Sequence, residues 1–132
     1  MTTLDTDRLV LIIEDNEKNL KLARDLLRYY GFRTIEASDA ETGLQLASDS
    51  MPDIILMDIE LPGMDGVTAL ERLRADPATA GIVVVAFTAS VMPVDRDRFS
   101  RAGFAGVIVK PIEVTAFPNQ VRAYCNGSVR GD

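Results

Sequence analysis

Five polar side chains in this sequence could together perform chemistry on a phosphoryl group. Glu14 and Asp15 directly follow one apolar run, and Asp58, Thr88 and Lys110 each follow another. Clustered carboxylates repel one another unless a cation neutralises them or one takes up a proton. A carboxylate such as Asp58 can attack phosphorus, while an ammonium and a hydroxyl can bind phosphate oxygens. The set therefore predicts a site for a divalent cation and phosphoryl transfer.

The composition narrows the kind of cation that such a site could hold. The 132 residues include no histidine and a single cysteine, Cys125. This excludes histidine-ligated and cysteine-cluster metal sites, and also catalysis by Ser-His-Asp or Cys-His groups. The remaining oxygen ligands favour Mg²⁺, Mn²⁺ or Ca²⁺.

Charge and hydropathy indicate the compartment and exclude some partners. A formal net charge of −6 argues against non-specific nucleic-acid binding. No apolar run reaches the ~18 residues of a membrane span, and the opening MTTLDTDR lacks the apolar region of a signal peptide. We expect a cytoplasmic chain that binds no nucleic acid and inserts into no membrane. We also expect one domain over residues 1–132, with its core at about 7–125 and a flexible tail at 126–132.

Five short apolar runs alternate with amphipathic stretches, and this pattern predicts the fold class. The expected strands are residues 8–13, 33–37, 53–57, 81–87 and 106–109. The expected helices are residues 16–30, a second from about 38 to before Pro52, 65–74, 95–102 and 114–124. Strict alternation of this kind predicts an α/β fold with a central parallel sheet and helices on both faces.

The predicted sheet would bring the five polar side chains together. In an open parallel sheet, sites form at the carboxyl ends of the strands, near the point where the strand order reverses. Each residue alone has an ordinary explanation: a helix cap for Asp15, a turn for Asp58, a strand-end hydroxyl for Thr88 and a loop lysine for Lys110. Their shared position at one edge favours a functional site.

Four blocks of the sequence resemble the receiver domain of two-component response regulators. They are VLIIEDN at 10–16, PDIILMDIELPGMDG at 52–66, VVAFTA at 84–89 and VIVKPI at 107–112. The blocks follow the order and spacing of that family, and the resemblance covers about residues 7–125. The opening block is similar to single-domain cell-cycle regulators of the same family.

The resemblance implies a flavodoxin-like fold, with five parallel strands in the order 2-1-3-4-5 and five helices. It implies that Asp58 is the phosphoacceptor, Thr88 the switch hydroxyl and Lys110 the phosphate-pairing lysine. The resemblance also implies a Mg²⁺ ion held by Glu14, Asp15, Asp58 and the backbone carbonyl of Glu60. The phosphate would come from a phosphohistidine on a histidine kinase or a histidine phosphotransfer protein. The chain would then act on a downstream protein by contact, with at most slow self-dephosphorylation and no other enzymatic activity.

Two other functions remain open at this point. The chain could be an interaction module that keeps the receiver fold without being phosphorylated. It could also be a phosphatase of the haloacid-dehalogenase kind, which likewise uses an aspartate nucleophile and Mg²⁺. That class has a second aspartate two residues after the nucleophile, where this chain has Glu60.

One departure from the family pattern concerns the switch. Receivers usually carry tyrosine or phenylalanine three residues before the lysine, and rotation of that ring couples to the hydroxyl residue. This chain has Val107 at that position, with Phe104 in the preceding loop. The aromatic ring of the usual switch is therefore missing from this position.

Two prolines bear on the local geometry. The bond between Lys110 and Pro111 is of the kind that can be cis at modest cost, which would direct the lysine towards the site. Pro118 lies inside the predicted last helix, where proline is tolerated only in the first turn. That helix therefore either begins late, near Ala116, or is kinked.

An arginine-rich stretch lies in the predicted fourth helix. Arg96, Arg98 and Arg101 could bind an anionic ligand, but Asp95 and Asp97 alternate with them. We therefore favour an exposed helix face on which these charges compensate one another.

Overall fold

The computed structural model describes residues 8–89 and 92–126. Strands and helices alternate along these residues. The strands are β1 (Leu9–Ile13), β2 (Arg33–Ala37), β3 (Ile54–Asp58), β4 (Val83–Thr88) and β5 (Gly106–Val109). The helices are α1 (Glu17–Tyr29), α2 (Ala40–Ser50), α3 (Gly66–Ala75), α4 (Pro93–Ala102) and α5 (Phe117–Cys125). Apart from residue 126, the tail expected at 126–132 lies outside the described residues. No helix in the described ranges is long and apolar enough to cross a membrane.

The five strands form one parallel sheet in the order β2-β1-β3-β4-β5, which confirms the expected fold class. The order reverses at β1, which pairs with both β2 and β3. At the carboxyl edge, Ile13 is paired with Met57, Asp58 with Phe87, and Thr88 with Val109. This register places the ends of the central strands side by side, where a site can form.

Alternating side chains of the strands enter two separate hydrophobic cores. In β1, Leu11 and Ile13 face the core that α2, α3 and α4 cover, whereas Val10 and Ile12 face the core under α1 and α5. All four are fully buried. Because both faces of the sheet are covered, the central strands read as continuous apolar runs.

Three helices begin at a side chain that caps the first turn. Asn16, Asp39 and Asp65 accept hydrogen bonds from the backbone N–H groups of Asn19, Thr42 and Thr68, respectively. Each cap satisfies an N–H group that has no partner within the helix. The caps fix where α1, α2 and α3 leave the carboxyl edge of the sheet.

The other two helices begin at positions that differ from the sequence prediction. Helix α4 begins at Pro93, two residues earlier than expected, because proline suits the first turn of a helix. Helix α5 begins at Phe117, later than the expected residue 114, and Pro118 therefore lies in its first turn. A late start near Ala116 was one of the two alternatives, and the structure confirms it.

Arg74, near the end of α3, joins three segments at the edge of the sheet opposite the polar cluster. Its Nη1 atom donates to the backbone carbonyl oxygens of Ala80 and Ile82, at 2.9 and 2.8 Å. Its Nη2 atom donates to the carbonyl oxygen of Gly103, which ends α4, at 3.2 Å. One guanidinium thus ties α3, the approach to β4 and the end of α4 together.

Candidate functional site

The five candidate side chains come from four strand ends at the carboxyl edge of the sheet. Glu14 and Asp15 follow β1, and Lys110 follows β5. Asp58 and Thr88 are the last residues of β3 and β4, one position further into the sheet than the sequence suggested. The structure therefore brings to one edge the residues that the sequence analysis singled out.

The centre of the site is the ammonium group of Lys110. Its Nζ atom lies 2.8 Å from Oε1 of Glu14 and 3.5 Å from Oδ2 of Asp58. The side chains of Glu14, Asp58 and Lys110 are 0%, 6% and 12% exposed, respectively. These charges are therefore largely withdrawn from water, where electrostatic interactions are strongest.

Three carboxylates of this edge form a group that fits a divalent cation. One oxygen atom from each of Glu14, Asp15 and Asp58 lies within 4.8 Å of the others. When all three are ionised, Lys110 compensates only one of the negative charges. Hard oxygen donors with an excess of negative charge are the ligands that Mg²⁺ and similar ions prefer.

Burial raises the pKa of the Glu14 carboxyl above its ordinary value, and the nearby Asp58 adds to this effect. Hydrogen bonds from the Lys110 ammonium and the Asn16 N–H oppose the rise but do not cancel it. A cation at this carboxylate would favour the ionised form. A proton and a cation at this carboxylate would therefore compete with each other.

The backbone after β3 holds the carboxylate of Asp58. The N–H group of Glu60 donates to Oδ1 of Asp58 at 2.9 Å, whereas Oδ2 is the oxygen near Lys110. The N–H group of Gly66 donates to the carbonyl oxygen of Ile59 at 3.0 Å and closes the loop. A Cβ atom on Gly66 would lie 2.9 Å from the backbone oxygen of Asp58, so the loop packs against the first residue of α3.

Gly66 is a residue of the site that the sequence analysis did not single out. Gly66 is the last residue of the block PDIILMDIELPGMDG, and its place in that block is the one signal in the sequence that could have indicated a role. The close approach of α3 to the backbone of Asp58 gives the physical reason for a residue without a side chain.

Thr88 and Lys110 are joined through their backbones. The N–H group of Lys110 donates to the carbonyl oxygen of Thr88 at 2.8 Å, directly beyond the last β4–β5 pair. Thr88 is 4% exposed. The peptide bond between Lys110 and Pro111 is cis, the isomer that would direct the lysine towards the site.

The position at which receivers usually carry the switch aromatic holds Val107 in this chain. Val107 is half-buried on β5 and is paired with Ala86. Phe104 is buried and packs edge-on against Phe99 of α4, with the ring centres 5.8 Å apart. The side chain of Tyr124 in α5 does reach β5. Its hydroxyl lies so close to Gly106 that a Cβ atom at that position would collide with it.

Tyr124 and Val107 both line a small cavity. The cavity has a volume of about 190 Å³ and is also lined by Arg96 and Phe99 of α4. An aromatic group of a helix, and not of the strand itself, thus lies beside this part of β5.

The arginines of α4 make local contacts on an exposed surface. Arg101 forms an ion pair with Asp97 at 2.7 Å, and both side chains are more than half exposed. The guanidinium of Arg98 lies 5.1 Å from the ring centre of its neighbour Phe99. These contacts agree with the interpretation of a compensated helix face.

A model of the response regulator receiver domain matches residues 10–122. This chain belongs to the response regulator receiver domain family. Similar relatives include the polar-differentiation response regulators DivK of Brucella anthropi and Brucella ovis. Each is 40% identical over 115 residues, which cover 87% of this receiver and 94% of the relative. The family assignment from the four sequence blocks is therefore confirmed.

Solved structures of other receivers have the same fold. The receiver domain of a sensor histidine kinase from Pseudomonas aeruginosa, with magnesium coordinated in its active site cleft, superposes with a TM-score of 0.82. It is 27% identical, and the match covers 90% of this receiver and 98% of that chain. The chemotaxis response regulator CheY4 of Vibrio cholerae superposes with a TM-score of 0.83, and the match covers 89% of this receiver and 98% of that chain. At 20% identity, this likeness is evidence for the fold alone.

Proposed function

We propose that Asp58 accepts a phosphoryl group from a phosphohistidine of a histidine kinase or histidine phosphotransfer protein. The phosphorylated receiver then signals by contact with another protein. The observation that supports this most is the position of Oδ2 of Asp58, 3.5 Å from Nζ of Lys110 and inside the group of three carboxylates. We further propose that residues 1–132 form one receiver domain that acts in the cytoplasm, with no turnover beyond slow self-dephosphorylation.

The transfer itself requires one bond to form and one to break. An oxygen atom of the Asp58 carboxylate attacks phosphorus, and the bond between phosphorus and the imidazole nitrogen of the donor breaks. The imidazole leaves with the electron pair and takes up a proton. Because Oδ1 is held by the Glu60 N–H, the carboxylate keeps a fixed orientation during the attack.

The carboxylates of Glu14, Asp15 and Asp58, with the backbone carbonyl of Glu60, would hold a Mg²⁺ ion. Bound there, the ion would neutralise negative charge on the phosphoryl oxygens. The excess of negative charge in this group supports the assignment. A solved receiver of Pseudomonas aeruginosa with magnesium in its active site cleft supports it as well.

Lys110 and Thr88 would bind the oxygen atoms of the new phosphoryl group. The Lys110 ammonium already lies near Asp58, so it can exchange its contact with Glu14 for a phosphate oxygen. The hydroxyl of Thr88 would donate to a second oxygen, from the end of the neighbouring strand β4.

Phosphorylation with a small donor tests this proposal directly. Incubation with acetyl phosphate and Mg²⁺ should add the mass of one phosphoryl group to the intact chain. Asp58→Asn should abolish the addition, whereas Asp53→Asn should not, because Asp53 is exposed and binds the Leu9 N–H at the opposite edge of β3. Unchanged labelling of Asp58→Asn would contradict the assignment.

The same samples separate this function from the two alternatives. A phosphatase would turn over a phosphate ester such as p-nitrophenyl phosphate, and we expect no such turnover. An interaction module independent of phosphorylation would bind its partner equally well before and after treatment with the donor and as Asp58→Asn.

A further inference from the structure

An aromatic ring lies beside the ammonium group of Lys110. The Nζ atom of Lys110 is 5.2 Å from the ring centre of Phe87, which is within the range of a cation–π interaction. The Lys110 side chain is 12% exposed and Phe87 is 1% exposed. The contact is therefore shielded from water, which strengthens it.

The ring of Phe87 is itself fixed in position. Phe87 is in β4 and is paired with Asp58 of β3. Its ring stacks on the ring of Phe117, with the centres 6.2 Å apart and the planes 22° from parallel. Phe117 is fully buried and is the first residue of α5. A strand and a helix therefore hold the ring that contacts the lysine.

A ring face attracts an ammonium group without accepting one of its N–H donors in a conventional hydrogen bond. An ammonium group has three such donors. One of them binds Oε1 of Glu14 at 2.8 Å, and Oδ2 of Asp58 lies 3.5 Å from the same nitrogen atom. A carboxylate in the place of this ring would compete with an incoming phosphate for these donors, whereas a ring face does not.

We propose that Phe87 is a positioning residue for Lys110. Its ring holds the ammonium beside Asp58 and leaves the N–H donors for the carboxylates and the phosphoryl oxygens, while Phe117 fixes the ring. Only the expected effect on the phosphorylation rate rests on the proposed function. The contact between Lys110 and Phe87 exists without a phosphoryl group.

The alternative role for Phe87 is to fill the core. Phe87 also packs in the cluster under α1 and α5, together with Val85, Ile108 and Val121. A residue that only fills space needs the right volume, whereas a positioning residue needs the negative potential of its ring face. An experiment that changes the potential and keeps the volume separates the two roles.

Lysine labelling makes the geometry visible in the unphosphorylated protein. The chain has three lysines, Lys18, Lys21 and Lys110, and the first two are exposed. In protein labelled with ¹³C at the lysine ε-carbon, Lys110→Arg identifies the signal of Lys110. We expect an upfield ring-current shift of its ε-protons relative to Lys18 and Lys21, and loss of that shift in Phe87→Leu. A wild-type Lys110 signal that coincides with those of the exposed lysines would overturn the proposal.

Fluorinated phenylalanines at position 87 test whether the negative potential of the ring face affects the phosphorylation rate. The series 4-fluoro-, 3,5-difluoro- and pentafluorophenylalanine weakens the negative ring face progressively and changes the volume little. The phosphorylation rate with acetyl phosphate should fall with each step, by about five- to thirty-fold at the end of the series. The matched control is the same series at Phe104, whose ring packs on Phe99 in the other core. A flat series at Phe87, or an equal fall at Phe104, would reduce Phe87 to a core residue.

The two measurements also separate this inference from the proposed function. If the wild-type protein were not phosphorylated at Asp58, the proposed function would fail while the ring-current shift could still be present. If phosphorylation proceeds normally and the fluorinated series is flat, only the role of Phe87 fails.

Discussion

Lys110 and Glu14 form an ion pair at 2.8 Å although they are 96 positions apart in the sequence. The Glu14 carboxylate is fully buried, so its charge depends on the lysine and on any cation that the neighbouring acids hold. A cation or a phosphoryl group bound beside them would therefore alter the environment of both residues.

The first prediction concerns the pH dependence of the metal-free protein. Because the pKa of Glu14 is raised in the folded state, the favourable contribution of its neutral form is complete below about 4.5. It is lost as the pH rises through the raised value, so the free energy of unfolding should carry a falling component above pH 4.5. Urea titrations in EDTA should show this component in the wild type and not in Glu14→Gln. Identical pH profiles for the two proteins would contradict the prediction. Added Mg²⁺ should reduce this falling component of the free energy of unfolding, because a bound cation favours the ionised carboxylate.

The second prediction concerns the cap of α3. Asp65→Ala removes the acceptor for the Thr68 N–H and should lower the free energy of unfolding by about 1 kcal/mol. Asp65→Asn keeps an acceptor and should cost less. The hydrogen bond from the Thr68 N–H, more than any other contact, lowers the pKa of Asp65 below its ordinary value of 3.8. Its ionised form therefore stabilises the fold above that pH, and the difference between wild type and Asp65→Asn should shrink as the pH falls below it. Urea unfolding at neutral and at acidic pH provides both measurements.

The third prediction concerns the contact between α2 and β1. A Cβ atom on Gly43 would collide with the fully buried side chain of Ile13. Gly43→Ala should lower the free energy of unfolding by about 1 to 3 kcal/mol, although alanine is the better helix former. Gly81→Ala is the control, because a Cβ atom there would meet no atom within 4 Å. Thermal unfolding of both variants would show the difference, and equal stability would argue against close packing at Gly43.

The fourth prediction concerns the loop that follows Asp58. Gly66→Ala would place a Cβ atom 2.9 Å from the Asp58 backbone oxygen, and the loop would have to shift. We expect the phosphorylation rate to fall by about tenfold or more, since small misplacements of reacting groups slow catalysis strongly. Gly81→Ala again serves as the control. If Gly66→Ala were labelled at the wild-type rate, the approach of α3 to Asp58 would have no functional role.

The convergence of the site was predictable from the sequence because parallel strands share one edge. Each of Glu14, Asp58 and Lys110 directly follows an apolar run, and the alternation of strands and helices predicts their common placement. The start of α5 was not predictable, because Pro118 allows either a late start or a kink. Local sequence alone does not decide between them.

Contacts between elements that are distant in the sequence could not be predicted either. The position of Lys110 over Phe87 depends on where α5 places Phe117, and no spacing rule connects these residues. The approach of Tyr124 to Gly106 likewise depends on how α5 packs on the edge of the sheet. Periodicity predicts which face of an element is buried but not which ring meets which group.

Arg74 ties α3, the segment before β4 and the end of α4 together, so any tilt of α4 would turn about its carboxyl end. Arg74 fastens the end of α4 through Gly103, while the first turn of α4 follows the strand that carries Thr88. A helix of ten residues is about 15 Å long. A tilt of about 10° around the fastened end would therefore move the free end by roughly 2.5 Å, which follows from that length. With its carboxyl end fastened by Arg74, α4 would act as a lever whose free end begins five residues after Thr88.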